Sequence, residues 1–207
     1  AAVSRVSAPL TIEANGVVEP LHTVSIAAQV GGSLEAVEFN EGDDVQVGQV
    51  LFKIDPRPFE AALRQAEATL ARDTSQAQSA AREAERYKAL VEKDYVTRSQ
   101  ADQVAAAAAA TQATVQSDRA AVDNARVNLG YTTIRSPIAG RTGRLLVKAG
   151  NLVRPNGDPL VVINQLRPIL VRFPVLQKDF PAIQRRNLRG PIPVRVVTAD
   201  SGQVTEA

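Results

Sequence analysis

Residues 59–94 read FEAALRQAEATLARDTSQAQSAAREAERYKALVEKD, and residues 97–130 read TRSQADQVAAAAAATQATVQSDRAAVDNARVNLG. In the first run, apolar or small residues recur at steps of four and three: Phe59, Leu63, Ala66, Leu70, then Ala77, Ala80, Ala84, Tyr87 and Val91. The second run repeats the rhythm with Val104, Ala108, Thr111, Val115, then Val122, Ala125 and Leu129. Such spacing keeps one seam of a helix facing a partner, the coiled-coil pattern. Each seam has one polar break, Asp73 in the first and Asp118 in the second. A reversal near Asp94 sets Phe59 against Leu129, Leu63 against Ala125 and Ala84 against Val104, so the spacing predicts an antiparallel hairpin. Helices of about 36 residues make a rod of roughly 50 Å. An alanine-rich seam, Ala105 to Ala110 included, lets the helices approach closely but buries little area, so helix propensity must carry much of the stability.

The boundaries are marked chemically. Asp55 is a capping type, Pro56 suits a first helical position and Glu60 falls in the first turn. Thr97 with Gln100 three residues later spells a capping box. Gly130 supplies a stop.

The text on either side of the hairpin is strand-like and repeats itself. Before it, Gly-rich and Asp-rich turns interrupt short apolar runs: Val30-Gly31-Gly32-Ser33-Leu34, Glu41-Gly42-Asp43-Asp44-Val45 and Val47 to Ile54. After it, Pro137-Ile138-Ala139-Gly140 aligns with Gln29-Val30-Gly31-Gly32. Gly140 and Gly150 keep the spacing of Gly32 and Gly42, Val153 matches Val45, and Leu160 and Ile163 match Leu51 and Ile54. This is an internal repeat split by the hairpin. Residues 26–58 carry two basic and six acidic side chains, whereas residues 132–166 carry five basic and one acidic. Oppositely charged halves of one small β-sandwich account for that contrast. Residues 10–30 alternate weakly around the turn Asn15-Gly16. Beyond Arg167-Pro168, Ile169 to Val175 reads as a strand, Gln177 to Leu188 as a short basic helix, Pro193 to Val197 as a strand and Ser201-Gly202 as a turn.

Composition narrows the function. Among 207 residues, aromatics are 4% and cysteine is absent, so thin-cored modules are expected and thiol chemistry is excluded. No apolar run reaches 18 residues, so no span is predicted, and no signal peptide is visible. The net charge of +2 conceals a basic C-terminal third. Its cations are scattered among Val, Leu and Pro without stacking aromatics, which speaks against nucleic acid. His22 is the only histidine, with no second imidazole for a metal or a triad. Glu41, Asp43 and Asp44 cluster where turn chemistry explains them better than acid–base catalysis does. No enzyme, cofactor or metal site is read here.

The segment Tyr131-Thr132-Thr133-Ile134-Arg135-Ser136-Pro137-Ile138-Ala139-Gly140-Arg141-Thr142-Gly143, following an Ala-rich coiled coil, resembles the periplasmic adaptors, or membrane fusion proteins, of tripartite efflux pumps. The half-repeats look like that family's split lipoyl domain, and Asp55-Pro56-Arg57-Pro58-Phe59 looks like its lead-in to the hairpin. The resemblance implies an elongated, mixed α and β, multidomain fold. In it, a lipoyl-like domain (26–58 and 132–166) carries an α-helical hairpin (59–131), beside a truncated β-barrel (1–25 and 167–207), with a membrane-proximal domain absent. It further implies an adaptor in the periplasm, attached to the inner membrane, joining an RND-type transporter to a TolC-like outer-membrane channel for export of drugs or other toxic compounds. The adaptor would pack with itself as a trimer or hexamer ring. Hairpin length points to the RND-type subgroup.

The family's tip motif for the channel is an Arg, a Leu four later and a Ser seven after that. Arg86 and Leu90 match it; Thr97 stands at the third place, keeping the hydroxyl and adding a methyl. Lys93 and Asp94 complete the expected tip. From spacing alone, Arg86 is a solvated charge, Leu90 a seam-edge residue and Thr97 a helix cap. Two alternatives stand beside the adaptor of an RND pump: an adaptor of an ABC-type exporter, and a lipoyl or biotinyl carrier module armed on Lys53. The hairpin occupies the turn that a carrier lysine would need.

Overall fold

The computed structural model describes residues 11–188, 190–197 and 204–206. The expected turn Ser201-Gly202 lies outside them. The chain forms two compact units, His22–Arg167 and a second made of the flanking segments.

In the larger unit, strands β1 (Val17–Ile26), β2 (Gly32–Val37), β3 (Asp44–Val45) and β4 (Val50–Ile54) precede two helices, α1 (Arg57–Val91) and α2 (Arg98–Gly130). After them come β5 (Thr133–Arg135), β6 (Gly140–Thr142), β7 (Leu152–Val153) and β8 (Val161–Arg172). One sheet has the order β1-β8-β6-β3 and the other β5-β4-β2-β7. Each sheet therefore mixes strands from before and after the helices, and the split sandwich is the observed fold.

Its core is drawn from both halves of the repeat at matching positions. Val45 and Val153, Leu51 and Leu160, and Ile54 and Ile163 are all buried. The one large aromatic inside, Phe52, meets Phe39 edge-on with ring centroids 5.3 Å apart. Apart from those rings the interior is largely Val, Leu and Ile, the thin core that the composition predicts. The halves also bond to each other: Arg141 forms an ion pair with Asp44, Arg135 donates to the Gly48 carbonyl, and Glu41 accepts from the Leu145 amide. Asp43 in turn accepts from the Asn40 amide, so all three carboxylates of that turn have structural partners.

The helices pack on each other as an antiparallel pair, and the helical residues buried most deeply, Ala77, Val115 and Val122, all belong to the predicted seams. The root of the hairpin is fixed by backbone bonds. Lys53 pairs with Thr133 in the β4–β5 ladder, and the Ile54 amide donates to the Thr132 carbonyl at 2.8 Å.

Several boundaries differ from those predicted. Pro56, not Asp55, occupies the cap position of α1. Asp55 stands one residue earlier, yet its Oδ1 still accepts the Arg57 amide at 3.1 Å, while both of its oxygens hold the Arg57 guanidinium. That grip lowers the Asp55 pKa to about 2. Gly130 is the last residue of α2 rather than a left-handed stop, and Tyr131 caps in a right-handed conformation. The stop comes from Thr132, a buried residue whose amide and hydroxyl both donate to the Leu129 carbonyl.

The flanking segments contribute the start of β1 and the end of β8, then α3 (Phe180–Asn187) and the paired strands β9 (Arg195–Val197) and β10 (Val204–Glu206). Ile12 is not in a strand; β1 starts only after Asn15-Gly16. β8 runs unbroken through Arg167-Pro168 and ends at Arg172, just before Phe173-Pro174. A proline removes only its own amide donor from a strand, and composition changes at Pro168 while the strand continues. His22 is an exposed residue of β1.

Candidate functional site

The far end of the hairpin is an ordered turn. α1 ends at Val91 with Lys88 in its last turn, where a cation suits the negative end of the helix dipole. The Leu90 carbonyl then accepts two amides, from Lys93 at 3.2 Å and Tyr95 at 3.0 Å, while the Val91 carbonyl accepts from Asp94 at 3.0 Å. These bonds need one residue in the left-handed region, and Asp94 supplies it with φ 58°. Aspartate is among the few non-glycine residues that tolerate this. The chain thus reverses at Asp94, where the sequence places the fold-back.

Thr97 starts α2 with the capping box complete. Its Oγ1 accepts the Gln100 amide at 3.2 Å, and the Gln100 side chain accepts the Thr97 amide at 3.1 Å. The cap uses the hydroxyl as an acceptor and leaves its proton to give elsewhere. Thr97 is itself exposed.

The five residues named from sequence therefore occupy one end of the rod. Arg86 is exposed near the end of α1, Leu90 is half-buried, Lys93 and Asp94 are exposed in the turn, and Thr97 opens α2. Leu90 and Lys93 are joined through the backbone. None of the five lines the cleft that opens between the helices just below, a space of about 420 Å³ bordered by Glu85, Lys88, Val91, Glu92, Arg98 and Asp102 among others. A sixth residue stands at the tip beside these five. Tyr95 is 73% exposed, and its amide bond to Leu90 fixes its backbone in the turn. The signal was there: an aromatic side chain in the short loop between the helices, in a chain with only three tyrosines.

Lys53, the alternative carrier position, lies within β4 with its ammonium 2.8 Å from Glu38. That bond and the neighbouring charge raise its pKa. Among the described residues, no group of three or more potential ligands is placed to hold a metal, and no helix is long and apolar enough to cross a membrane.

A sandwich interleaved from two half-repeats, with a coiled-coil hairpin inserted between them, is the architecture of membrane fusion proteins. The family model described as "RND MFP, barrel-sandwich hybrid domain" matches residues 22–165, and the chain belongs to this family. It is 38% identical over 192 residues to the multidrug resistance protein MdtA of Erwinia amylovora, covering 92% of this chain and 47% of that one. Identity to MdtA of Proteus mirabilis is 36% over 176 residues, covering 84% and 43%. The chain thus spans about half the length of the curated relatives it matches. Among solved structures, it resembles a MacA–MexA chimera containing the Pseudomonas aeruginosa MexA α-hairpin domain, with 28% identity and a TM-score of 0.65 over 94% of this chain and 64% of that one. MacA from Actinobacillus actinomycetemcomitans shares the fold at 21% identity and a TM-score of 0.63, over 92% and 63%.

Proposed function

We propose that this chain is the hairpin-bearing part of a periplasmic adaptor that links an inner-membrane RND-type transporter to a TolC-like outer-membrane channel, for export of drugs or other toxic compounds. The observation that carries the reading is the hairpin itself: both helices are rooted in one pair of strands, and the opposite end presents an ordered, exposed turn. Membrane fusion adaptors are in general non-catalytic. The RND family match and the MdtA relatives favour this reading over an ABC-type exporter. A carrier role is opposed by Lys53, which is engaged with Glu38 within a strand instead of crowning a free turn.

In this reading, residues 59–131 are the reaching arm, and 26–58 with 132–166 form the lipoyl-like module that packs copies side by side into a ring of three or six. Residues 1–25 and 167–207 belong to a barrel facing the transporter. Arg86, Leu90, Lys93, Asp94 and Thr97 contact the channel, with Tyr95 adding an aromatic surface of the type that anchors interfaces. The exposed guanidinium of Arg86 supplies the directional charge, and the Thr97 proton supplies a donor.

The test is a photo-crosslinker at position 90 in cells carrying the full-length adaptor, paired with Arg86→Asp. The expected result is a crosslink to an outer-membrane channel and loss of drug resistance in Arg86→Asp at unchanged protein level and helicity. Unchanged resistance, or a crosslink only to inner-membrane protein, overturns the tip assignment.

A further inference from the structure

The polar breaks in the two seams, Asp73 of α1 and Asp118 of α2, meet in the body of the hairpin. Asp73 lies about 27 Å from the end of α1 at 1.5 Å per residue. The two carboxyl groups are within hydrogen-bonding reach of each other. Arg72 holds Asp73 from the solvent side with two bonds, Nε to Oδ1 at 2.7 Å and the second nitrogen to Oδ2 at 3.0 Å. The Asp73 side chain is only 13% exposed, against 70% for Arg72.

Asp118 has no cation bonded to it. Its Oδ2 is buried, and among the described residues it is the one buried side-chain nitrogen or oxygen without a hydrogen-bond partner. The residue lines a cleft of about 240 Å³ with the uncharged Ala62, Gln65, Ala66, Thr69 and Ala121. From α1, the helix packed against it, the charged groups acting on Asp118 are Asp73 and, at longer range, Arg72. An ionised carboxylate with a shielded oxygen, touching a second carboxylate, suffers both lost hydration and like-charge repulsion. One proton shared by the pair removes both costs: the Asp118 hydroxyl donates to Asp73, which stays ionised under Arg72, and the contact becomes a short charge-assisted bond.

We propose that Asp73 and Asp118 form a proton-holding clasp that ties the two helices together in mid-rod and opens when its proton is lost, making the stiffness of the hairpin depend on pH. Burial, followed by the neighbouring Asp73, raises the Asp118 pKa, whereas Arg72 lowers that of Asp73. A raised carboxyl contributes fully below its unfolded value and fades as pH rises through its folded one. A lowered carboxyl contributes above its unfolded value and fades as pH falls through its folded one. The clasp is therefore closed in the interval between, and it opens on the alkaline side as the shared proton is lost. The proton goes to water, and two carboxylates remain at one height of the seam with a single guanidinium to share.

The test is a carbon-detected NMR titration of the aspartate carboxyls in the 207-residue chain, alongside thermal unfolding followed by helicity at several pH values. Asp118→Asn is the comparison, because its amide can donate to Asp73 at every pH. The expected result is one carboxyl that titrates above the ordinary aspartate range and is missing from Asp118→Asn. Wild-type hairpin stability should fall across that titration while the variant stays flat. Titration of every aspartate within or below the ordinary range overturns the proposal, as does an equal pH slope in both proteins. The wild-type titration alone decides the matter if Asp118→Asn does not fold.

Discussion

Gly140 stands opposite Val45 across the β6–β3 pair, and the relationship is mirrored by Gly32 opposite Val153 across β2–β7. Gly32 and Gly140, which occupy equivalent places in the two half-repeats, thus each pair with the valine of the other half. Equivalence extends to the turns: Gly42 and Gly150 have φ values of 85° and 88°. It extends to crowding as well, since a Cβ on Gly32 would sit 2.7 Å from a methyl of Ile54 and one on Gly140 would sit 2.6 Å from the Asn164 carbonyl oxygen. The halves are interlocked, and neither can close a sheet alone.

Gly140→Ala should therefore destabilise the sandwich by about 1–3 kcal/mol, the usual cost of overpacking, because the obstacle is backbone and cannot rotate away. Gly130→Ala is the contrast. It lies in the last turn of α2 with open space around its missing Cβ, and should be neutral or stabilising by up to about 1 kcal/mol. Urea unfolding of the two variants reads the difference.

Phe52 is fully buried and touches Phe39. Phe52→Ala should cost about 3–5 kcal/mol, enough to unfold a marginal domain. An exposed surface change such as Leu188→Ala should cost less than about 0.5 kcal/mol.

Thr97 caps α2 in the structure, and its contact with the channel is the proposal made above. Thr97→Ala removes the capping acceptor and should lower hairpin stability by about 1 kcal/mol. Thr97→Ser keeps the cap and removes only the methyl, so helix melting should barely move. Drug resistance measured in the same two variants of the full-length protein then separates the cap from the proposed channel contact: loss in Thr97→Ser at full helicity shows that the methyl is fitted to a partner.

Acid sensitivity should be traceable to the root of α1. Asp55 has a folded pKa of about 2, below an unfolded value near 3.9. Its contribution is present above pH of about 4 and fades as pH falls through about 2. Asp55→Asn should flatten that part of the acid limb relative to wild type in a series of melts between those limits. An acid limb of equal slope in both proteins would count against the Asp55–Arg57 grip as its source.

The hairpin and the repeat were readable because both rest on periodicity, which survives in sequence whenever one face is buried. Ala77, Val115 and Val122 were in the predicted seams, and Leu51, Leu160, Ile54 and Ile163 were at matched repeat positions. The misreadings were local. Asp55 looked like a cap because it precedes Pro56; it lies one residue before the cap position, yet its carboxylate still accepts the Arg57 amide. Gly130 looked like a stop because glycine often is one, yet here Thr132 ends the helix through its own hydrogen bonds. Pro168 looked like a break because the texture changes there, while β8 continues through it. The contact of Asp73 with Asp118 was visible only as two blemishes. Whether two seam breaks meet depends on register, which side-chain periodicity constrains but does not fix.

The hairpin leaves the sheet at Ile54 and returns at Thr132, two residues joined by one backbone hydrogen bond. Equal numbers of heptads could be added to or taken from both helices without altering any strand pairing. Each would move the tip by about 10 Å. The rod is therefore a gauge graduated in heptads, whose reach can be reset while every strand pairing of the sandwich is kept.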